Sequence, residues 1–189
     1  MKENKINFYS IDELEKKLES FGVDIRKWGI GQAKTLEHLQ KELLAGESEL
    51  VVRETKLLRK VAVSVADVIY NSVNGIKYVL KEEKQVFADG RERCRKVCSA
   101  VSEKIKIGEK PRNALIRGIK EELSICDKII LKKNKRGVRI SCSTSYPGLP
   151  SLYIRHCFLV ILNDHQFNLK GYTEKQEDKT TFFVWKVVN

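Results

Sequence analysis

The segment from Glu103 to Ile125 reads EKIKIGEKPRNALIRGIKEELSI and carries the clearest helix signal of the chain. Pro111 suits the first position of a helix, where its missing N–H leaves no hydrogen bond unmade. Apolar residues then recur mostly three or four positions apart, as on one buried helix face: Ala114, Leu115, Ile119 and Leu123. Glu121 lies four residues after Arg117, so the two side chains can pair along the helix. We therefore predict a loop followed by a helix with a polar, partly acidic face.

Carboxylates stand at both ends of this segment. Glu109 lies in the loop before the predicted helix, and Glu121 and Glu122 lie near the end of the helix. A hard divalent cation such as Mg2+ takes oxygen ligands, so these side chains are candidate cation ligands. The alternative is that Glu121 and Glu122 belong to a solvated helix face and pair with lysines.

The segment resembles the Nudix box, a loop–helix motif with the pattern G-x5-E-x7-R-E-U-x-E-E-x-G-U, in which U is apolar. The matching positions are Glu109, Arg117, Ile119, Glu121, Glu122 and Ile125. Three positions depart from the pattern. Glu103 stands at the first Gly, Gly118 at the Glu after Arg, and Ser124 at the second Gly.

The resemblance to the Nudix hydrolase superfamily implies an α/β/α sandwich with a mixed sheet. It also implies catalytic roles for Arg117, Glu121 and Glu122, and metal ligation of Mg2+ or Mn2+ by Glu109, Glu121 and Glu122. In the family the residue that corresponds to Gly118 is a further metal-binding Glu. Gly118 therefore removes one metal ligand, and weakened or lost hydrolysis is predicted. The cation itself could also have been lost. On the helix alone, Gly118→Glu is expected to firm the helix, because Glu is the better helix former.

In many Nudix enzymes a carboxylate from a late loop assists the general base. The loop 171–179 reads GYTEKQEDK, and its candidates are Glu174, Glu177 and Asp178, of which we assign Glu177. A base must lie near the attacking water and be ionised at the working pH. The alternative is that these acids are simply solvated.

Positive charge is concentrated in one span. The chain has 189 residues and a formal net charge of +11. Residues 86–139 hold sixteen Lys and Arg against seven Asp and Glu, a difference of +9. A basic surface attracts polyanions such as nucleotides and RNA. We predict ligand binding by Arg93 and Arg95 in this span, and by Tyr146 and Tyr153, which could equally pack in the core.

The remaining composition bounds the class of protein. No run of eighteen apolar residues occurs, so no membrane span is expected, and the first residues lack the apolar core of a signal peptide. The five cysteines include no CxxC pair, which favours free thiols in a reducing cytoplasm over disulfides or zinc ligation.

Helical and extended patterns divide the chain near residue 55. Helices are predicted from Ser10 to Phe21 and over 33–44, so residues 1–55 are interpreted as a helical extension that packs on the main domain or on a protein partner. From Leu57 the pattern is extended, and strands are predicted over 61–70, 76–85, 95–102, 128–131, 138–142, 153–162 and 180–188. The segment KKNKRG at 132–137 is predicted to be a turn. Residues 56–189 are therefore predicted to form the Nudix-like domain.

Three functions fit these observations. The first is a Nudix-family protein that binds a nucleoside-diphosphate derivative or an RNA 5′-phosphate, with weakened or lost hydrolysis. The second is an active Mg2+-dependent diphosphate hydrolase. The third is a structural or regulatory interaction protein on the same fold, because a fold alone does not determine function.

Overall fold

The computed structural model describes residues 3–94 and 99–188. The described residues form three helices: α1 (Ile11–Ser20), α2 (Leu36–Leu44) and α3 (Pro111–Leu123). The first six strands are β1 (Glu3–Lys5), β2 (Glu49–Arg53), β3 (Lys56–Asn71), β4 (Lys77–Phe87), β5 (Glu92–Arg93) and β6 (Val101–Lys104). The last four are β7 (Ile130–Cys142), β8 (Pro150–Leu162), β9 (Tyr172–Lys175) and β10 (Lys179–Val188). The fold is therefore rich in strands and has few helices, which agrees with the α/β class.

The chain divides into two compact units. The first consists of Met1–Val63, Lys104–Glu109 and Gly137–Arg155. The second consists of Ser64–Glu103, Lys110–Arg136 and His156–Asn189. The helical extension over 1–55 stays a prediction, but the segment contains two strands besides its two helices, and its compact unit includes two later parts of the chain.

The first unit is built on α1, α2 and an antiparallel ladder. Strand β2 pairs with β1 and with the first residues of β3. Ser10 caps α1 as predicted, since its Oγ accepts the N–H of Glu13 at 3.1 Å. The core of the unit contains two clusters of buried apolar side chains. The smaller consists of Val51, Leu58 and Leu152. The larger consists of Leu14, Leu18, Val23, Trp28, Leu39, Leu50, Leu57, Tyr146 and Leu149.

A buried carboxylate anchors the polar side of this unit. The side chain of Glu42 is 8% exposed and accepts hydrogen bonds from Arg59 at 2.6 Å and Lys34 at 2.7 Å. Lys104 lies 3.0 Å from the same carboxylate. Burial alone raises the pKa of Glu42, but the hydrogen bond from Lys34 and the charges of Arg59 and Lys104 outweigh it and lower the pKa to about 2.

The second unit packs α3 against strands. Strand β4 pairs antiparallel with the end of β3, with β5 and with β10, and β10 also pairs with β9. An irregularity in the β4–β10 register lies between Phe182 and Phe183. The core is a second cluster of buried side chains, which includes Leu80, Val101, Leu115, Ile119, Leu123, Phe158, Val160 and Phe183.

The basic segment at 132–137 is extended, so the predicted turn is wrong. Residues 130–142 form one strand, β7, which pairs with β8. Its side chains are exposed at nearly every position. A strand with so little buried surface needs no apolar alternation, and this is why its sequence does not indicate a strand. The strands β1, β2, β5 and β9 were also missed. The strands predicted over 128–131 and 138–142 correspond to parts of β7, and the other predicted strands that fall within the described residues are present with shifted ends.

None of the helices in the described parts of the chain is long and apolar enough to cross a membrane. The four cysteines that the structure describes, Cys94, Cys126, Cys142 and Cys157, are free thiols.

Candidate functional site

Helix α3 forms where the sequence predicts it. Pro111 occupies its first turn, and the hydroxyl of Ser64 on β3 donates a 2.7 Å hydrogen bond to the Pro111 carbonyl. The buried face consists of Ala114, Leu115, Gly118, Ile119 and Leu123. The helix ends at Ser124, whose φ of 56° is left-handed. Glycine is the residue that adopts this conformation most easily, and it is the residue that the Nudix box has at this position.

Gly118 is the point of closest approach between α3 and strand β6. A Cβ atom at this position would lie 2.8 Å from Cβ of Glu103 and 3.2 Å from its Cγ. Cγ1 of Val101 would lie 3.4 Å away. The stem of Glu103 therefore fills the space that a side chain at position 118 would need. The expectation that Gly118→Glu firms the helix is wrong in this packing, because the new side chain meets Glu103.

Arg117 points its guanidinium at the carboxylate of Glu103. Its Nη1 donates a hydrogen bond of 2.7 Å to Oε1 of Glu103. Glu121 lies 3.9 Å from the same nitrogen, which confirms the pairing predicted along the helix. The exposed fractions of the Arg117 and Glu103 side chains are 28% and 20%, so this pair is partly shielded from water. The Glu121 side chain is 55% exposed.

Glu122 lies four residues after Gly118 and is surrounded by other acids. Burial and then the charges of Glu174, Glu103 and Glu82 raise the pKa of Glu122 to about 9, against the lowering effect of a hydrogen bond with the backbone of Ser102. At neutral pH this carboxyl group is therefore protonated. Neighbouring like charges raise the pKa of a carboxyl group because they disfavour its ionised form.

The predicted metal ligands do not form a metal centre in this arrangement. Glu109 accepts the backbone N–H of Lys106 at 3.0 Å, which closes the loop before α3. Glu121 faces Arg117, and Glu122 is protonated. Over residues 3–94 and 99–188, no group of three or more His, Cys, Asp or Glu side chains is arranged to hold a metal ion. The carboxylate oxygens of these residues have suitable chemistry for Mg2+ or Mn2+, and metal ligation by them stays a prediction.

Among the three late acids, the structure brings Glu174 to the helix. Glu174 lies on β9, which packs against α3, and its charge acts on Glu122. Glu177 is exposed in the turn between β9 and β10. The sequence signal for strand β9 is the alternation in YTEK, which was missed. This alternation puts Tyr172 and Glu174 on one side of a strand.

Two of the predicted ligand-binding residues, Arg93 and Tyr153, lie on strands β5 and β8. The guanidinium of Arg93 donates to Oε1 of Gln85, at 2.6 Å from Nη2, and lies 5.3 Å from the ring centroid of Phe87. Arg95 lies outside the described residues. Tyr153 is half-buried on β8.

Tyr146 is a core residue, which disagrees with the ligand-binding prediction. It is completely buried, with its ring centroid 5.1 Å from that of Trp28. The guanidinium carbon of Arg59 lies 4.9 Å from the ring. Its aromatic face is therefore occupied by the protein itself.

A row of cations lies along the first half of β7. Lys132, Lys133, Lys135 and Arg136 are all exposed. None of these four side chains has an ion pair or hydrogen bond with a residue that the structure describes. Lys133 and Arg136 act on His156 of β8, whose pKa is lowered first by burial and then by these two charges.

No protein-family profile matches the chain, and no curated protein matches it. Among solved structures, an Ap4A hydrolase from C. elegans is similar, with a TM-score of 0.38 and 13% identity over 66% of this chain and 78% of that chain. A binary complex of a C. elegans Ap4A hydrolase gives a TM-score of 0.37 and 14% identity over 68% of this chain and 80% of that chain.

The NUDIX domain of Shewanella oneidensis NrtR, solved with ADP ribose, gives a TM-score of 0.36 and 9% identity. That similarity covers 67% of this chain and 71% of that chain. All three TM-scores are below 0.5. The Nudix-like fold accordingly stays a prediction that rests on the residues from Glu103 to Ile125.

Proposed function

We propose that the chain binds a phosphate ligand, either a nucleoside-diphosphate derivative or an RNA 5′-phosphate, and that it hydrolyses this ligand weakly or not at all. The observation that carries the binding is the row of cations on β7. Lys132, Lys133, Lys135 and Arg136 expose their charges on consecutive or nearly consecutive residues of one extended strand. Successive side chains of a strand point to opposite faces, so Lys133 and Lys135 share one face and Lys132 and Arg136 share the other. Each pair can contact the phosphates of a ligand.

The charges on this row are available to a ligand. An ion pair within the protein would screen them, and none is present with the described residues. Neutralising phosphates with Lys and Arg releases condensed counterions, which gives an affinity that falls steeply with salt. The net charge of +11 acts in the same direction by steering anions toward the protein.

Weak or absent hydrolysis is supported by the acids of α3. Catalysis of diphosphate cleavage by a bound cation needs ligands that fix the ion against the reacting phosphate. Glu109 is bonded to its own loop, and Glu121 faces Arg117. Gly118 stands in place of a carboxylate, and no group of three or more His, Cys, Asp or Glu side chains among the described residues is arranged to hold such an ion.

A second candidate is an active diphosphate hydrolase, and the crowding of acids around Glu122 favours it. Glu174, Glu103 and Glu82 all act on this carboxyl group, and clusters of acids with perturbed protonation often mark catalytic sites. In that case Arg117, Glu121 and Glu122 keep the catalytic roles that the Nudix resemblance implies. Structural and catalytic clusters share this electrostatic signature, so turnover must be measured.

The test combines binding and turnover. The ligands are ADP and one RNA oligonucleotide carrying either a 5′-phosphate or a 5′-hydroxyl, each assayed with and without Mg2+ for affinity and for product. The variant replaces Lys132, Lys133, Lys135 and Arg136 with Gln. We expect weaker binding and a salt slope that flattens by about 0.7 for each single-strand phosphate that the variant no longer neutralises.

A matched control variant separates the effect of the cations on β7 from the effect of the net charge. It replaces four exposed lysines of the first unit with Gln, which changes the net charge equally: Lys16, Lys27, Lys41 and Lys56. Equal losses in the two variants would show that only net charge matters and would contradict the proposal. Rapid Mg2+-dependent product release would favour the second candidate.

A further inference from the structure

Two departures from the box pattern meet at one point of the structure. The sequence has Glu103 where the pattern has Gly, and Gly118 where the pattern has Glu. The structure puts these two positions in contact, because a Cβ at 118 would lie only 2.8 Å from Cβ of Glu103. Real Cβ atoms do not approach other atoms so closely. A side chain at position 118 would therefore force Glu103 or its strand to shift, which couples the two changes.

The exchange moves a carboxylate from the helix to strand β6. Glu103 delivers this carboxylate to Arg117, whose Nη1 lies 2.7 Å from Oε1. The neighbouring Gly118 makes this possible, since the stem of Glu103 crosses the helix at the place where a side chain is missing. The result is a guanidinium held at the surface of α3 by a charge-assisted hydrogen bond, which is stronger than a neutral one.

The acids that the resemblance assigns to a divalent cation do not fit one here. Acids crowd around Glu122, but in the described part of the chain no group of three or more His, Cys, Asp or Glu side chains is arranged to hold a metal ion. Glu121 lies 3.9 Å from Nη1 of Arg117, so this acid of α3 faces a cationic side chain of the protein. The positive group at this face of α3 is a side chain of the protein.

We infer that the exchange of Gly and Glu between positions 103 and 118 has replaced a divalent cation with the Arg117 guanidinium, so that the chain binds its phosphate ligand without metal. The inference rests on the proposed function for its ligand. A guanidinium carries five N–H donors in a planar fork and binds phosphate directly. An arginine fixed by a neighbouring carboxylate presents this fork with little further loss of conformational freedom.

The experiment uses the full chain, with ADP and Mn2+ as probes. Mn2+ binding is measured without nucleotide by electron paramagnetic resonance, and ADP affinity is measured by calorimetry in EDTA and in Mn2+. For the wild type we expect no Mn2+ binding at α3 and the same ADP affinity in both buffers. The Glu103→Gly, Gly118→Glu double variant restores the box pattern at both positions. It should gain Mn2+ binding and make ADP affinity depend on Mn2+.

Single variants test the arginine independently of whether the double variant folds. Arg117→Gln should lower ADP affinity in EDTA about tenfold, the loss expected for one charge-assisted hydrogen bond. Arg112→Gln is the matched control, because Arg112 is exposed on the same helix, and its affinity should stay at the wild-type value.

Three results would overturn the inference. The first is wild-type Mn2+ binding that Glu103→Gln weakens, since Glu103 would then be a metal ligand. The second is an unchanged ADP affinity in Arg117→Gln. The third is a double variant that is folded by circular dichroism and still fails to gain Mn2+ binding. If the wild type binds neither ADP nor the RNA oligonucleotide with a 5′-phosphate, the proposed function fails, while the Mn2+ measurements still decide whether the exchange removed the cation.

Discussion

Replacing Gly118 with alanine should destabilise the protein even though alanine is the better helix former. Alanine gains about 1 kcal/mol over glycine in a helix interior. The added Cβ would lie 2.8 Å from Cβ of Glu103 and 3.4 Å from Val101, so β6 or α3 must shift. Overpacking of this kind costs about 1–3 kcal/mol. The expected net change is therefore a loss of up to about 2 kcal/mol in the free energy of unfolding.

The same substitution should have the opposite sign when Glu103 has been replaced by glycine. Glu103→Gly removes the Cβ and Cγ atoms that the new methyl group meets, so the helix preference of about 1 kcal/mol should be recovered. The coupling energy between the two positions should then be about 1–3 kcal/mol, within the range measured for contacting residues. Urea denaturation of the four proteins of this double-mutant cycle measures it.

A control on the same helix isolates propensity from packing. Asn113 is exposed on α3, so Asn113→Ala should change stability equally in the wild type and in the Glu103→Gly variant. The reasoning would be refuted if Gly118→Ala stabilised the wild type as much as it stabilised the Glu103→Gly variant. In that case the close approach of β6 to the helix would be absent in solution.

Three further predictions concern acids and a helix end. Because the pKa of Glu122 is raised to about 9 from 4.5, its proton stabilises the fold below pH 4.5, and this contribution is lost as the pH rises toward 9. Glu122→Gln should flatten that loss, whose slope is at most about 1.4 kcal/mol per pH unit, in urea titrations between pH 5 and 9. The pKa of Glu42 is lowered to about 2, so its contribution is present above pH 4.5 and lost as the pH falls through 2. Glu42→Gln should lower the free energy of unfolding by about 3–5 kcal/mol at pH 7, because Arg59 stays buried without its charged partner. This loss of stability should be smaller in acid, and an equal loss at pH 2 would contradict the prediction. Ser124→Gly should stabilise the fold by about 0.5–1 kcal/mol, because glycine adopts the left-handed φ of 56° without strain. Thermal unfolding measures this change. A loss of stability would show that the Ser124 side chain makes a stabilising interaction of its own.

The sequence predicts α3 well because the signals of that helix are local. Pro111 fixes the first turn, and the apolar spacing fixes the buried face, so neither depends on distant parts of the chain. The pair of Arg117 and Glu121 follows from helix geometry and is confirmed. The capping of α1 by Ser10 is equally local and is predicted for the same reason.

Features that depend on distant partners were missed or misplaced. Strand β1 has three residues and is paired with β2, so its extended form comes from its partner and not from its own sequence. The basic half of β7 has a composition typical of turns, yet β7 pairs with β8 and is extended. Tyr146 carries no sequence signal that distinguishes a core ring from a ligand-stacking ring, and only its contact with Trp28 decides between them.

The departures at 103 and 118 show why position-by-position comparison with a motif can mislead. Taken separately, Glu103 is a lost turn glycine and Gly118 is a lost acid, and each suggests decay of the site. In the structure they touch each other, so that the glycine makes room for the stem of the glutamate and the glutamate holds Arg117. The pair fills the space and satisfies the charge of Arg117, as the inferred replacement of the cation by this guanidinium requires. The double variant tests that inference, because it restores the pattern at both positions together.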